Sequence, residues 1–380
     1  MKNPSIAILT WGLNGGSLAN YTLALAQGFL DAGLEKIYII YVAQGPDSQE
    51  MLLNGVEVIP LNAKRSRFAP FYIAQTIRKL RPDILISVSA FINMPATIGW
   101  LLSGVRSTKL IVSQHSTMSY KAYVELKHDL KFRLQPLMAR FLYPRASAVH
   151  ANSQRVLDDL LHTIKIRVAP ERAFATDNPV DSTRIKRNSQ VKPTHPWLQN
   201  KETPIILSVG RLAKQKNFPL LIEAFAKLRH RQEARLIILG EGPERKVIEQ
   251  HIQDLGVADW VSLPGFTGNP WAEMTQADVF ALSSEEEPFG LVLVEAMACG
   301  LPIVATSALG NGPQAVLDDG KYGCLVPKSD AHLLAEGLME VLSNPLRKAE
   351  LIEMGSKRYQ HYEPKLIAQQ WLNFLTVSFS

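Results

Sequence analysis

An acidic stretch, SSEEEPFGLVLVEAMACGLPIVAT, contains two glutamates eight positions apart, Glu287 and Glu295. The pattern predicts a strand over 279–282, a loop, and then a helix over 291–298, so Glu287 precedes the helix and Glu295 lies about one turn inside it. Strand ends of this kind face ligand crevices in open α/β sheets, and a carboxylate accepts two hydrogen bonds in one plane, which suits sugar hydroxyls. A plain solvated loop is the alternative for the acidic run that ends at Glu287, whereas the apolar neighbours of Glu295 argue against that alternative.

A basic turn, SVGRLAKQKNF at 208–218, follows the predicted strand 205–209 and places Arg211 and Lys216 five residues apart. Arg can hold a diphosphate as a bidentate fork, and Lys can hold it as a compact point charge. Both side chains are expected to be exposed in the empty cleft. The alternative is a pair of solvated loop charges, which is the usual state of Lys and Arg.

Two glycine-rich turns also follow predicted strands. The first contains Gly12, Gly15 and Gly16, and the second reads GEGPER from Gly240 to Arg245. Glycines at a strand-to-helix turn let a ligand approach the backbone near the positive end of a helix, but a plain tight turn explains them equally well. Neither turn has the G-x-G-x-x-G spacing of a dinucleotide site, which disfavours a nicotinamide oxidoreductase.

Short β-branched runs alternate with amphipathic helical patterns along the chain, which indicates βαβ units and parallel sheets. Strands are predicted at 6–10, 37–42, 84–88, 110–113, 148–151, 205–209, 235–239, 260–263, 279–282 and 302–305. The rhythm breaks at a polar stretch rich in Lys, Asn, Ser and Pro. We therefore expect an α/β fold with two Rossmann-like domains, at 1–185 and 204–363, joined by a linker at 186–203. A final helix, 364–380, has no following strand and is expected to pack back towards the first domain.

Composition argues against several classes of protein, including disulfide-rich, zinc-binding and membrane-spanning ones. The 380 residues include only Cys299 and Cys324, which fits a reducing compartment and argues against a disulfide scaffold or zinc site. We expect a cytoplasmic protein, since no segment has the apolar length of a signal peptide or transmembrane helix. The net charge of +6 is uneven: residues 1–190 carry +10 and residues 191–380 carry −4. The basic half could meet an anionic membrane, nucleic acid or substrate, but no nucleic-acid motif accompanies it.

One helical pattern, 123–143, suggests a membrane contact. Its apolar stripe comprises Leu126, Leu130, Leu134, Leu137 and Phe141. The basic residues beside the stripe are Lys127, His128 and Lys131. An earlier segment adds the positive charges of Lys64, Arg65 and Arg67. Such a helix could bind anionic lipid peripherally, on the inner face of the membrane. A core-packed helix with a solvated basic face is an equally supported alternative.

Taken in order, these motifs resemble the retaining glycosyltransferases of family 4, the glycosyl transferases group 1, which have the two-domain GT-B fold with a central cleft. The resemblance covers nearly the whole chain. It depends on four elements: Gly15-Gly16, SVGRLAKQKNFPLLIEAF at 208–225, LGEGPE at 239–244 and EPFGLVLVE at 287–295. Ala315 departs from the family pattern, because the family often has a Glu at that position.

The resemblance implies a role for each matching residue. Arg211 and Lys216 would bind the donor diphosphate, and Glu295 would hold the ribose. Glu287 and the backbone of Phe289, Gly290 and Leu291 would hold the donor sugar and phosphate. The base would lie near Phe266, while Gly15, Gly16 and Gly240 would line the substrate site. His115, in SQHST, matches the family's histidine near the transferred sugar.

The expected function is therefore transfer of a sugar, with retention, from a nucleotide-diphosphate sugar to a glycan or lipid-linked acceptor. A UDP-sugar is the favoured donor, and polysaccharide or glycolipid synthesis is the expected context. No cofactor and no metal are expected, since the chain contains no Asp-x-Asp pair and cationic side chains can bind the diphosphate instead. Two alternatives stay open: a GT-B sugar-nucleotide epimerase, which needs no acceptor, and a non-catalytic nucleotide-sugar-binding protein.

Overall fold

The computed structural model describes residues 3–13, 16–44, 53–61 and 68–379, without the side chains of residues 43 and 44. The chain forms two compact units. The first unit comprises residues 1–180 and 362–380, and the second unit comprises residues 181–361.

The first unit is built on a parallel sheet with strand order β3-β2-β1-β4-β5-β6-β7. Its strands are β1 (Ile6–Gly12), β2 (Ile37–Gln44), β3 (Val56–Pro60), β4 (Ile84–Val88), β5 (Lys109–Gln114), β6 (Ala148–Ala151) and β7 (Ala173–Ala175). Every residue of β4 and β6 is buried, because helices cover both faces of the sheet. The order reverses between β1 and β4, which is the topological switch point where doubly wound sheets bind ligands.

Helices follow the strands in the expected alternation. Those that precede the second unit in the chain are α1 (Ser17–Asp31), α2 (Ala69–Leu80), α3 (Ala90–Ser103), α4 (Met118–Tyr120), α5 (Leu130–Leu142) and α6 (Gln154–Asp158). Short π-helical turns at Lys121–Glu125 and Asp159–Thr163 follow α4 and α6.

The second unit repeats the plan with strand order β10-β9-β8-β11-β12-β13, again parallel. Its strands are β8 (Ile205–Val209), β9 (Arg235–Leu239), β10 (Val261–Gly265), β11 (Val279–Leu282), β12 (Ile303–Thr306) and β13 (Cys324–Val326). Its helices are α7 (Ser182–Ser189), α8 (Pro196–Gln199), α9 (Phe218–Arg229), α10 (Arg245–Asp254), α11 (Trp271–Met274), α12 (Leu291–Ala298), α13 (Gly312–Leu317), α14 (Ala331–Ser343) and α15 (Pro345–Arg358). The predicted fold class, α/β with two Rossmann-like units, is confirmed.

The last helix, α16 (Pro364–Phe379), belongs to the first unit and packs on α1. The contact is close at Gly28, where a Cβ atom would lie 2.2 Å from the carbonyl oxygen of Pro364. Ile367 and Trp371 of α16 are fully buried in the same core as β1 and β4. The C-terminal residues therefore complete the core of the N-terminal unit.

The polar stretch expected to be a linker, together with the residues just before it, is folded onto the second unit. The Asp181 side chain accepts the backbone N–H of Arg184 and caps α7. Further along, Thr194 donates through its N–H and its hydroxyl to Glu273 Oε1, at 3.0 and 2.8 Å. Composition suggested a linker because these segments are polar. Their polar groups are instead hydrogen-bonded, to a side-chain helix cap and to the buried Glu273 carboxylate.

Candidate functional site

The ends of four neighbouring strands bring most of the predicted ligands to one edge of the second sheet. Arg211 follows β8, Gly240 follows β9, Phe266 follows β10 and Glu287 follows β11. Because β10, β9, β8 and β11 are adjacent and parallel, their carboxyl ends meet at the same edge. Sequence motifs far apart in the chain therefore form one site, which we call the charged edge.

The turn after β8 is locked to the turn after β9. The Gly210 N–H donates to the Leu239 carbonyl at 2.9 Å, and the Leu212 N–H donates to the Glu241 carbonyl at 3.0 Å. Gly240 has φ +148°, and a Cβ atom there would lie 1.9 Å from the Gly210 carbonyl oxygen. Only glycine fits this approach. Gly240 thus allows the close contact between the two turns that positions the backbone of Arg211.

The two basic residues of the turn differ in exposure. Arg211 is exposed, as the sequence predicts. The Lys216 side chain is only 14% exposed, because its ammonium group forms an ion pair with Glu287 Oε2. The expectation that Lys216 is exposed is therefore wrong. A partly buried ammonium group needs a partner, and Glu287 provides one.

Serine hydroxyls support this ion pair from the strand end before it. Ser284 Oγ donates to Glu287 Oε2 at 3.3 Å, and Ser283 Oγ donates to the Lys216 carbonyl at 3.0 Å. We did not identify these serines from the sequence, although they directly precede the acidic run. They link β11 to the basic turn after β8.

A second loop holds Glu287 from the other side. The Glu287 N–H donates to the Leu309 carbonyl at 2.7 Å, and the Gly312 N–H donates to the Glu287 carbonyl at 2.9 Å. A Cβ atom on Gly310 or Gly312 would lie within 2.9 or 2.5 Å of Glu287 backbone atoms. These glycines let the loop after β12 cradle Glu287, a role that the sequence analysis missed because the two segments pair only in the fold.

The predicted ligands beyond Glu287 surround the start of α12. Gly290 has φ +88° and caps the helix, with Phe289 and Leu291 buried on either side of it. The free N–H groups of a helix start attract anions. Glu295, one turn further, is 7% exposed. At the β10 end of the edge, the Phe266 ring is 60% exposed, so it can stack on a flat ligand.

A cation from the folded polar stretch lies within electrostatic range of Glu295. Burial lowers the pKa of Arg184 on α7, and the charges of Asp181 and Glu295 partly oppose that shift. The Arg184 guanidinium also lies 5.4 Å from the centre of the Trp271 ring. Arg184 was absent from the predicted site because it lies more than a hundred residues from Glu295 in the sequence.

His115 lies in the first unit, directly after β5. Its ring packs edge-on against Tyr21 of α1, with centroids 4.3 Å apart, and Gly16 with φ +84° begins that helix. Burial lowers the pKa of His115 to about 3, so the imidazole is neutral at physiological pH. Gly15 lies outside the described residues.

The helical pattern at 123–143 is interrupted. After the π-helical turn, Asp129 accepts the Lys131 N–H and begins α5 anew. Four members of the predicted stripe are 44 to 66% exposed: Leu130, Leu134, Leu137 and Phe141. The alternative of a core-packed stripe is therefore wrong for these four. Lys127, His128 and Lys131 are exposed as well, whereas Lys64, Arg65 and Arg67 lie outside the described residues.

Two features are absent from the described part of the chain. None of its helices is both long and apolar enough to cross a membrane. Nor does it contain a group of three His, Cys, Asp or Glu side chains placed to hold a metal ion.

Comparison with known proteins places this geometry in context. A family model described as glycosyl transferases group 1 matches residues 194–358, and one described as glycosyltransferase family 4 matches residues 15–184. The N-acetylgalactosamine-N,N'-diacetylbacillosaminyl-diphospho-undecaprenol 4-alpha-N-acetylgalactosaminyltransferase of Campylobacter jejuni is 28% identical over 306 residues, which are 80% of either chain.

Solved structures agree on the fold. Sucrose-phosphate synthase from Thermosynechococcus elongatus has a TM-score of 0.79 at 20% identity, covering 99% of each chain. HepE from Anabaena in complex with UDP has a TM-score of 0.73 at 22% identity, covering 98% of this chain and 100% of that one. These likenesses establish the GT-B architecture of two Rossmann-like units. Since the two family models between them match both units, the chain belongs to glycosyltransferase family 4, the glycosyl transferases group 1.

Proposed function

We propose that the protein transfers a sugar from a UDP-sugar to a lipid-linked glycan acceptor with retention at the anomeric carbon, and without a metal ion. The observation that carries the donor assignment is the charged edge, where Arg211, Lys216 and the start of α12 at Gly290 follow adjacent strands. Support for the donor and acceptor classes comes from relatives. HepE was solved with UDP, and the Campylobacter relative is named for a diphospho-undecaprenol acceptor.

The proposed chemistry follows from how charge moves. The bond between the anomeric carbon and the phosphate oxygen breaks, so negative charge grows on the leaving diphosphate. The acceptor oxygen bonds to the same face of that carbon, and its proton passes to the leaving phosphate oxygen. Arg211 and Lys216 stabilise the growing charge more than the ground-state charge, which accelerates the step.

The ion pair gives Lys216 and Glu287 a linked role in this scheme. Glu287 neutralises Lys216 through their ion pair. A bound diphosphate would offer Lys216 a second anion, and Glu287 could then accept hydrogen bonds from the sugar hydroxyls. Glu295 is assigned to the ribose, and the exposed Phe266 ring to the base.

The test is release of nucleoside diphosphate from a panel of UDP-, GDP- and ADP-sugars, each with and without a polyprenyl-diphosphate glycan, in buffer containing EDTA. We expect release that requires both donor and acceptor and continues in the chelator. Conversion of the donor without acceptor would support an epimerase instead, and tight binding without any turnover would support a non-catalytic binding protein. Loss of turnover in EDTA with recovery in magnesium or manganese would overturn metal independence alone.

The exposed α5 stripe supports a peripheral contact with anionic lipid at the cytoplasmic face of the membrane. Leu130, Leu134, Leu137 and Phe141 are exposed on one helix, next to the cations Lys127 and Lys131. Apolar side chains flanked by cations suit the headgroup boundary of an anionic bilayer, where a lipid-linked acceptor is anchored.

The double substitution Leu134→Glu/Leu137→Glu should reduce co-sedimentation with vesicles containing anionic phosphatidylglycerol. It should leave transfer to a water-soluble acceptor intact. Leu346→Glu is the matched control, since Leu346 is 84% exposed on α15 of the other unit. Equal sedimentation with neutral and anionic vesicles, or equal loss in the control, would contradict the lipid contact.

A further inference from the structure

A chain of hydrogen bonds runs inward from His115. Its Nε2 lies 2.8 Å from Ser113 Oγ, and the same hydroxyl lies 2.7 Å from Nδ1 of His150. Nε2 of His150 then lies 2.9 Å from Thr176 Oγ1. Ser113 and His150 are fully buried. The chain of bonds, which we call the imidazole relay, engages Nε2 of His115. Among the described residues, Nδ1 has no such partner and is the ring nitrogen for a ligand.

The number of protons that the groups of the imidazole relay can donate links the tautomers of its two histidines. A neutral imidazole has one donor and one acceptor nitrogen, and a serine hydroxyl has a single proton to donate. When Ser113 donates to one of the two rings, it accepts from the other, so the tautomers of His115 and His150 are set together. Thr176 extends the same dependence to the far nitrogen of His150.

The surroundings of the relay favour neutral rings. The His150 ring lies 4.2 Å from the Trp371 ring and 4.8 Å from the Phe174 ring, centroid to centroid, so α16 and β7 wall it off. Burial lowers the pKa of His150 well below its usual value, and His115 adds to the shift. A carboxylate partner would stabilise an imidazolium ion. Hydroxyls and a second imidazole instead hold His115 as a neutral hydrogen-bonding group.

We propose that His150, acting through Ser113, is a positioning residue that sets the tautomer and ring orientation of His115, so that Nδ1 is presented to the transferred sugar. The assignment rests on the proposed function, since that function places His115 beside the sugar. From the sequence alone, His150 is interpreted as structural or exposed, because it shows no ligand spacing. The relay becomes visible only when β5, β6 and β7 are adjacent.

The kinetic test uses three variants of the relay and its wall. His150→Phe keeps a ring against Trp371 but removes both nitrogens, and we expect kcat to fall about tenfold with the donor KM within about twofold. His150→Asn retains an amide near the position of Nδ1 and should recover most of the loss. Phe174→Leu disturbs the wall without touching the hydrogen bonds, so it should keep kcat near the wild-type value.

A second readout is independent of catalysis. In protein labelled with ¹⁵N-histidine, the His115 ring signals are assigned by their loss in His115→Asn. The wild type should show one neutral tautomer between pH 6 and 8, and His150→Phe should show a mixture of tautomers. Should His150→Phe fail to fold, Ser113→Ala breaks the same relay and carries both measurements.

The outcomes separate the two claims. Unchanged His115 signals in His150→Phe or Ser113→Ala, or a wild-type kcat in either of these two variants, would overturn the positioning role of His150. A tautomer change in a protein that transfers no sugar to any acceptor would leave the relay standing and overturn the proposed function.

Discussion

In the second unit the candidate site contains a pair of opposite charges, Lys216 and Glu287, whereas in the first unit His115 is neutral and held by hydroxyls and another imidazole. The charged edge puts Lys216 against Glu287 beside an exposed Arg211. The imidazole relay surrounds its rings with Tyr21, Phe174 and Trp371. A site that must bind a diphosphate benefits from charge, while a group that contacts a neutral sugar benefits from fixed hydrogen-bond directions.

The largest expected effect comes from removing cations at the charged edge. Arg211→Ala and Lys216→Ala should each lower kcat/KM about a hundredfold, because each removes a group that we propose stabilises the leaving diphosphate. Lys216→Arg should recover activity only in part, since a planar fork does not replace a point charge. Lys214→Ala, in the same turn and exposed, is the matched control.

Thermal unfolding separates the two cations. Lys216→Ala leaves the mostly buried Glu287 carboxylate without its ammonium partner, so we expect a loss of about 2 kcal/mol and a Tm lower by roughly 5 °C. Arg211→Ala should keep the wild-type Tm. Near-wild-type catalysis in both variants would show that this turn does not bind the diphosphate. A large loss of stability in both variants would show that Arg211 and Lys216 have a purely structural role.

Substitution of the two glutamates should have a smaller and divided effect. Glu287→Ala should mainly lower kcat, about tenfold, because it loses hydrogen bonds to the reacting sugar. Glu295→Ala should mainly weaken binding of the nucleoside diphosphate by a similar factor, because it loses the ribose contact. Steady-state kinetics with calorimetry of the free nucleotide distinguishes these patterns. Wild-type values in both variants would show that the acidic stretch has been assigned to the wrong role.

The last expected effect is a pH dependence of stability in the first unit. His115 has a folded pKa of about 3, below the ordinary 6.5, so the unfolded chain binds more protons between these values and stability falls as the pH decreases. Between pH 7 and 5 this group should account for about 2 kcal/mol. Measured Tm profiles should therefore be flatter for His115→Asn than for the wild type. Parallel profiles would mean that His115 titrates normally.

The charged edge and the imidazole relay also differ in how far they can be predicted from the sequence. The charged edge is encoded in contiguous motifs, each with a strand, a turn and a helix start, so the sequence alone predicts Arg211, Gly240, Glu287 and Gly290 as candidate site residues. The alternation of strands and helices gave the α/β class for the same reason. Short edge strands such as β7 were missed, since three residues leave no readable period.

The imidazole relay is assembled from pieces that carry no local pattern. Ser113 and His150 come from β5 and β6, and the Trp371 ring that packs against His150 comes from α16. Nothing in the spacing of these residues indicates that they meet. The exposure of Lys216 was also mispredicted, because its partner Glu287 lies on a different strand end. Which side chains meet across different segments depends on the order of strands in the sheet, and a single sequence motif does not reveal that order.

The central claim is that the charged edge of the second unit binds a nucleoside diphosphate through its two phosphates. The most direct measurement is calorimetric titration of the wild type with UDP, GDP and ADP, and then with the matching monophosphate and nucleoside. We predict that one diphosphate, with UDP favoured, binds at least about tenfold more tightly than its monophosphate, since a charged hydrogen bond contributes about 1.5–3 kcal/mol. Failure of all three diphosphates to bind, or equal affinity for the diphosphate and its monophosphate, would contradict the claim.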